Sequence, residues 1–353
     1  MRILPISLFA ASALFLTACG STDSAPVETP PATTETSAAV ETTPPASTVS
    51  VVATTTMLGD VTRQILDCAG GTVTVLMPAG TDPHDFSASS DQVAAMVNAN
   101  LVIANGLDLE AGLTDAFENA ASDGATIFEV GALIDPIEFG AGGHSDKDGH
   151  SDGDEHSDED GHSDEGGHSD DDGHGHGSLD PHFWFDMNRM ALATELIGAE
   201  LAASTGDASY QTCAETTASE IRAAEVGVRT VLESVPADQR ILVTDHEALG
   251  YLADVYGYEI AGTVIPSGTT LAEPSSADLA ALVKTIKAEG VTAIFSNMSQ
   301  TTSLAEAVAA ETGTPITVIP LYVESLGAPD SPASTYITMM EANATLIASG
   351  LTG

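Results

Sequence analysis

From Val49 onward the hydrophobic period of the sequence switches repeatedly between that of a strand and that of a helix, and this alternation restricts the chain to a narrow class of folds. The β-branched run Val49 to Thr54 gives way to helical apolar spacing over Met57 to Cys68, then to a strand-like stretch from Thr72 to Met77. Ser89 and Ser90 can cap a helix through Asn98. Leu101 to Ala104, a helical stretch over Leu109 to Ala121, and Ala125 to Val130 continue the series. A second series starts at Arg240, with strand to Thr244, helix to Tyr256, strand Glu259 to Val264 and helix Ser275 to Glu289. It goes on through strand Thr292 to Phe295, helix Ser303 to Thr312, strand Ile316 to Ile319 and a last helix from about Ala333. Between the two series, Asn188 to Ser204 and the unusually long Ala208 to Val235 read as helices. Strands separated by helices form parallel sheets covered by those helices. The expected class is therefore α/β: two lobes, each a mainly parallel sheet flanked by helices, joined by one long rigid helix. The expected boundaries are 49–207 for the N-terminal lobe, 208–235 for the linking helix and 236–353 for the C-terminal lobe. Two lobes joined in this way enclose a cleft.

The first 48 residues belong to neither lobe. Met1 and Arg2 precede an apolar run, Ile3 to Leu16, that is too short to span a bilayer and has the form of a secretory signal. It closes on Leu16, Thr17, Ala18 and Cys19, which resembles the box at which bacterial lipoproteins are cleaved and lipidated, so 1–18 is expected to be a signal peptide and Cys19 the lipidated residue. From Gly20 to about Thr48 the chain is rich in Ser, Thr, Pro, Ala and Glu and lacks aromatics, the composition of a disordered tether. The expected location is extracytoplasmic, held to the cell membrane by a lipid anchor.

Charge and histidine placement narrow the function. Lys and Arg total 9 against 52 Asp and Glu, which excludes a nucleic-acid partner and suits attraction of cations. All ten histidines fall into two groups. His144, His150, His156, His162, His168 and His174 recur every sixth residue, followed by His176, inside an acidic, glycine-rich segment, 140–178, that cannot form a core and reads as a mobile loop. The other three stand singly in short polar motifs: His84 in DPHDFSASSD, His182 in DPHFWFD and His246 in TDHEALGYL. Imidazole is the commonest metal ligand among side chains, and ligands of open α/β sheets bind beyond the carboxyl ends of strands. His84 and His246 each follow a predicted strand, so they can converge from opposite lobes. That makes the cleft a candidate metal site.

Proline stiffens each DPH approach. Asp82 and Asp180 can orient an imidazole through its second N–H or merely start a turn, and the turn is the expectation for either alone. Trp184, with Phe183 and Phe185, suits a core or an apolar wall around a metal. With Cys19 set aside, Cys68 and Cys213 remain. In an oxidising compartment they can pair as a disulfide, and the alternative is a thiolate metal pair, although neither has a CxxC neighbour.

In this order and spacing, GTDPHDFSASSDQV, DPHFWFDMNR after a histidine-rich insertion, TDHEALGYLADVYG and LYVESLG resemble the solute-binding lipoproteins of bacterial zinc and manganese ABC transporters, the cluster A-I metal-binding family. The resemblance runs from about Val51 to the C-terminus. It implies two α/β lobes bridged by a rigid helix, no enzymatic activity, a membrane permease of an ABC transporter as partner, and a monomer. It also implies one metal ligand from each of the four segments, which carries over to His84, His182, His246 and Glu324. The last is a departure, because the family usually has aspartate there, and Asp330 is the nearest rival. Three imidazoles and a carboxylate suit Zn²⁺, with Mn²⁺ as the alternative cargo, although manganese members of the family often have glutamate where this chain has His246.

The histidine hexads have a reading of their own. Extended at about 3.3 Å per residue, histidines six apart lie about 20 Å from one another, so they would form weak, interchangeable sites that capture zinc near the cleft. The other reading is a solvated acidic insertion. A rival function, a zinc hydrolase or lyase with Glu247 or Glu324 as general base, requires a water in the fourth coordination position.

Overall fold

A computed structural model describes residues 48–140 and 179–353. The signal segment, Cys19, nearly all of the expected tether and the seven histidines from His144 to His176 lie outside the described residues.

Two four-stranded sheets repeat one topology. In the first, β1 (Ser50–Ala53), β2 (Thr72–Val75), β3 (Leu101–Ala104) and β4 (Ile127–Glu129) stand in the order β2-β1-β3-β4. In the second, β5 (Ile241–Thr244), β6 (Glu259–Thr263), β7 (Ala293–Asn297) and β8 (Thr317–Leu321) stand in the order β6-β5-β7-β8. Every strand pairing in both sheets is parallel. The central strands β3 and β7 are buried along their whole length, as expected of strands covered on both faces. In each sheet the order reverses beside the first strand, which opens a crevice at the carboxyl ends of β1 and β3 and of β5 and β7.

Local chemistry sets most helix ends. The Thr55 hydroxyl caps α1 (Thr56–Ala69) by accepting the Leu58 N–H. Capping boxes start α2 (Ser90–Asn98) at Ser89 and Gln92, and α7 (Ser276–Glu289) at Ser275 and Asp278. In the second lobe α6 (Gly250–Tyr256) and α8 (Ser303–Thr312) flank α7 in the chain, and the last helix, α9 (Tyr336–Thr352), begins at Tyr336 rather than near Ala333, because Thr335 and Thr338 make a third such box. The helix expected from Leu109 starts late for a different reason. Gly106, Leu107 and Asp108 all have positive φ, so the chain makes a left-handed turn and passes through a short 3₁₀ segment, Ala111–Leu113, before α3 (Thr114–Ser122).

Helices α4 (Met187–Thr205) and α5 (Ser209–Glu233) pack side by side, with Gly198 allowing the closest approach: a Cβ there would sit 2.2 Å from that of Ala214. At 25 residues, α5 is about 37 Å long. Its buried stripe, Tyr210, Cys213, Ala214, Thr217, Ala218, Ile221, Glu225, Val228 and Leu232, holds helical spacing from end to end. It rests against α1 of the first lobe and α9 (Tyr336–Thr352) of the second. A disulfide, Cys68–Cys213, ties α1 to α5 with a Cα separation of 6.0 Å.

The helix is not the only link between the lobes. One apolar core runs through both, from Val51, Leu58 and Ile103 through Trp184 and Tyr210 to Leu242, Phe295, Leu321 and Tyr336. Two smaller cores lie apart from it, one holding Val52, Met96 and Leu113 and the other Val243, Ile286 and Val308. Ser47–Gly353 accordingly forms one compact unit. Among the described residues no helix is long and apolar enough to cross a membrane.

Candidate metal centre

Four buried side chains from four loops meet where the two sheets face each other. His84 lies on the loop after β2, His182 heads the segment before α4, His246 follows β5 by two residues, and Glu324 follows β8 by three. Each is at most 5% exposed, so a bound ion would be screened from bulk water. One ligand atom from each lies within 4.8 Å of all the others. Glu324 Oε1 is 3.0 Å from His84 Nε2, 3.1 Å from His246 Nε2 and 4.0 Å from His182 Nε2. All four atoms are buried without a hydrogen-bond partner. Orphaned buried polar atoms are costly. In a tetrahedral site with bonds of 2.0 to 2.1 Å, ligand atoms stand about 3.3 Å apart, so the cage is close to the size of one ion. Asp330, the rival carboxylate, is not in this group, and neither is Glu247, which lies beside Asp180 in a separate pocket of about 150 Å³.

Neighbouring residues aim the four side chains. Asp180 Oδ1 accepts the His182 backbone N–H at 2.9 Å and stands 2.8 Å from its Nδ1. A carboxylate only accepts, so Nδ1 carries the proton and Nε2 turns its lone pair to the centre. Asp180 therefore does more than start the turn expected from its motif. Asp245 does the same for His246, with Oδ1 3.1 Å from Nδ1, and the second Asp245 oxygen accepts the Asn297 N–H at 2.8 Å. Asn297 Nδ2 in turn donates to Glu324 Oε2. One glutamate oxygen is thus occupied, and only Oε1 faces the histidines. Asp82 keeps the turn role in part: its Oδ1 accepts the His84 N–H at 2.9 Å, but its other oxygen leaves the turn to meet the second lobe.

Behind His182 stands a support that its motif does not reveal. The fully buried Glu110 carboxylate accepts from the Thr54 hydroxyl at 2.6 Å and from the backbone N–H groups of Asn105 and Gly106 at 2.8 and 3.0 Å, closing the left-handed turn. Asn105 Nδ2 then donates to the Pro181 carbonyl at 3.0 Å, one residue before His182. Trp184 fills the core role expected of it and also stands beside His182. It lies in the shared core, donates Nε1–H to the Val323 carbonyl at 2.8 Å, and its ring meets that of His182 at 70° with centroids 5.3 Å apart.

The electrostatics follow from burial and neighbours. Burial lowers the His182 pKa, and Asp180 offsets this only in part. Burial also acts to lower His246, but Asp245 and Glu324 outweigh it and the pKa is raised well above the ordinary value. Burial acts to raise Glu324, yet His246 and His84 hold it far below the ordinary carboxylate range. Burial, then repulsion from Glu324, raises Asp82.

Comparison with known proteins finds metal-binding relatives of this chain. The family model described as the zinc-uptake complex component A, periplasmic, matches residues 51–350. The chain is 25% identical to the manganese-binding lipoprotein MntA of Halalkalibacterium halodurans over 307 residues, 85% of this chain and 88% of that protein. It is also 25% identical to the zinc-binding protein TroA of Treponema pallidum over 309 residues, with the same shares. The solved structure of TroA matches with a TM-score of 0.70 at 22% identity, covering 87% of this chain and 100% of that one, a likeness of fold. The manganese-bound periplasmic metal-binding protein of Candidatus Liberibacter asiaticus matches with a TM-score of 0.67 at 26% identity, covering 86% and 99%. A cadmium-bound form of that protein matches equally well.

Proposed function

The chain belongs to the zinc-uptake complex component A family, and from that premise we propose that it captures Zn²⁺ between its lobes through His84, His182, His246 and Glu324 and delivers it to the permease of an ABC transporter. The family supplies the metal-binding component of a transporter and not a catalyst. The observation that carries the choice of cargo is the set of four orphaned atoms, three imidazole nitrogens and a single carboxylate oxygen. Because Asn297 engages the second glutamate oxygen, the set offers four donors, which suits a four-coordinate zinc ion. Mn²⁺ favours more oxygen ligands. Relatives named for manganese, zinc and iron share this ancestry, so the donor set decides the preference.

Capture requires no bond to be made or broken beyond coordination itself. The acidic chain attracts cations, the four donors replace the water shell, and the buried site holds the ion without a position for a reacting water. Release requires His246 and Glu324 of the second lobe to separate from His84 and His182 of the first. The shared core limits that separation, so the permease must drive it. In support of membrane attachment through Cys19, several relatives are named lipoproteins of ABC transporters. The histidine hexads act as an accessory capture segment that passes ions to the cleft, and the protein works as a monomer.

Calorimetric titration of the full chain with Zn²⁺ against a competing chelator tests this reading, beside His246→Ala and a form lacking residues 144–176. One tight site that survives loss of the segment and is lost in His246→Ala is the expected result. Wild-type affinity in His246→Ala, or tight binding that vanishes with the segment, would overturn it. A manganese affinity that exceeds that for zinc would overturn the choice of cargo.

A further inference from the structure

Asp82 joins the His84 loop to the opposite lobe without touching the converging ligand atoms. Its Oδ1 holds the His84 N–H at 2.9 Å. Its Oδ2 accepts the Thr270 hydroxyl at 2.6 Å and the Gln300 side-chain amide. Thr270 lies on the loop after β6 and Gln300 on the loop after β7, so one carboxylate binds two loops of the second lobe to a ligand of the first. Close by, the Gly80 N–H donates to Ser325 Oγ at 2.7 Å, next to Glu324.

These bonds differ in setting from the two ties that run through the shared core. The Trp184 bond to Val323 and the Tyr336 hydroxyl bond to the Trp184 carbonyl are buried in the shared core. Gln300 is exposed, and Thr270 and Asp82 are partly so. Water can replace these partners when the lobes part, which makes the cluster the separable edge of the cleft. His84 is the ligand nearest to it in the chain.

We propose that Asp82 is a positioning residue that, through Thr270 and Gln300, latches the His84 loop to the second lobe and sets how long a bound ion stays. The proposal rests on the carrier reading above. An ion leaves when the His84 loop swings off the second lobe, and that swing must break two hydrogen bonds to a carboxylate, which are stronger than neutral ones. Removing the carboxylate speeds release about tenfold to a hundredfold, the range set by hydrogen bonds to charged groups. Asparagine gives an intermediate rate. Its carboxamide oxygen still accepts from His84 N–H, and its NH₂ can donate to the Thr270 oxygen or to a flipped Gln300 amide.

The test loads the full chain with one equivalent of Zn²⁺, adds excess chromogenic chelator and follows release in stopped flow. Wild type is compared with Asp82→Ala, Asp82→Asn, Thr270→Val, Gln300→Ala and the combination of Asp82→Ala with both partner changes. Visible absorption of the Co²⁺-loaded forms reports the ligand set independently. Faster release in Asp82→Ala and, to a lesser degree, in the partner variants is the expected result, with an unchanged Co²⁺ spectrum and no further acceleration in the combination. Unchanged release, independent accelerations that multiply in the combination, or a Co²⁺ spectrum that changes with the rate would each overturn the latch. If Asp82→Ala does not fold, Thr270→Val and Gln300→Ala decide the matter alone, because the same tie is cut from the other side. Failure of the wild type to hold one Zn²⁺ tightly is seen before any variant is compared, and it would bring down the carrier reading and the latch together.

Discussion

Without metal, the centre should hold a proton on His246 that an incoming ion expels. Burial disfavours the charged form of His246, but Asp245 and Glu324 reverse that preference and raise its pKa well above the ordinary 6.5. Glu324 stays ionised beside it, while burial keeps His182 neutral at physiological pH. Coordination needs the His246 Nε2 lone pair, so uptake of Zn²⁺ near pH 7 should release about one proton from this pair. Below the folded His246 pKa, apparent affinity should then rise about tenfold per pH unit, or about 1.4 kcal/mol, and level off above it. Calorimetry of the full chain in buffers of different ionisation enthalpy gives the proton count directly from the slope of observed heat against buffer enthalpy. Asp245→Asn should reduce the slope, because it removes the largest of the effects that raise the pKa. A slope of zero in the wild type at neutral pH would refute the assignment of a proton to His246. Stability follows with its own sign. The raised His246 contributes fully below 6.5, and that contribution is lost as pH rises through the folded pKa. The depressed Glu324 contributes above 4.5, and loses its contribution as pH falls through its folded value. The gap between metal-loaded and metal-free melting temperatures should therefore widen as pH rises toward the folded His246 pKa and stay constant above it.

Three further outcomes are expected. Asp180→Asn should weaken zinc binding about 10-fold to 100-fold, the usual cost of losing an orienting carboxylate. Gly250→Ala should weaken it in the same direction, because the new Cβ would lie 2.6 Å from Asp180 Oδ2; chelator competition measures both. Glu110→Gln should destabilise the fold by about 1 to 3 kcal/mol in denaturant unfolding, since a carboxamide cannot accept all three bonds that close the left-handed turn. Reducing Cys68–Cys213, which are 145 residues apart, should cost about 5 kcal/mol in the chain-entropy model. Thermal melts with and without reductant check this, and zinc stoichiometry at 25 °C should not change.

Much of the architecture was legible because each sheet is built from local periodicity. The order of strands and helices from Ser50 to Thr352 follows the apolar pattern, and mismatches concentrate at ends, as at Tyr336, where capping overrides hydrophobic spacing. The left-handed run at 106–108 was not legible. Leu107 and Asp108 do not announce positive φ, and the carboxylate that stabilises the turn comes from Glu110, which reads as an ordinary helical glutamate. At the centre, the three single histidines stood out because no others occur outside the 140–178 segment, and Glu324 came from a resemblance rather than from its surroundings. The groups that aim them were harder to find. Asp245 stands immediately before His246, one residue nearer than the aspartates of the DPH motifs stand to their histidines. Asn297 meets Glu324 across 27 residues and Asp82 meets Gln300 across 218, contacts that only the folded sheets bring about. The shared core between the lobes was likewise invisible to a reading that treated the two strand series separately.

The bond from Asn297 to Glu324 has a consequence for how such a site can drift over generations. Glutamate reaches the centre from a backbone set about one carbon–carbon bond farther back than aspartate would need, about 1.5 Å, and Asn297 occupies the oxygen that this reach leaves over. An aspartate substituted alone at 324 would fall short of the three imidazoles and strand a buried amide. The two positions are therefore coupled, and a functional aspartate at 324 would call for a matching change at residue 297 or in the loop beyond β8.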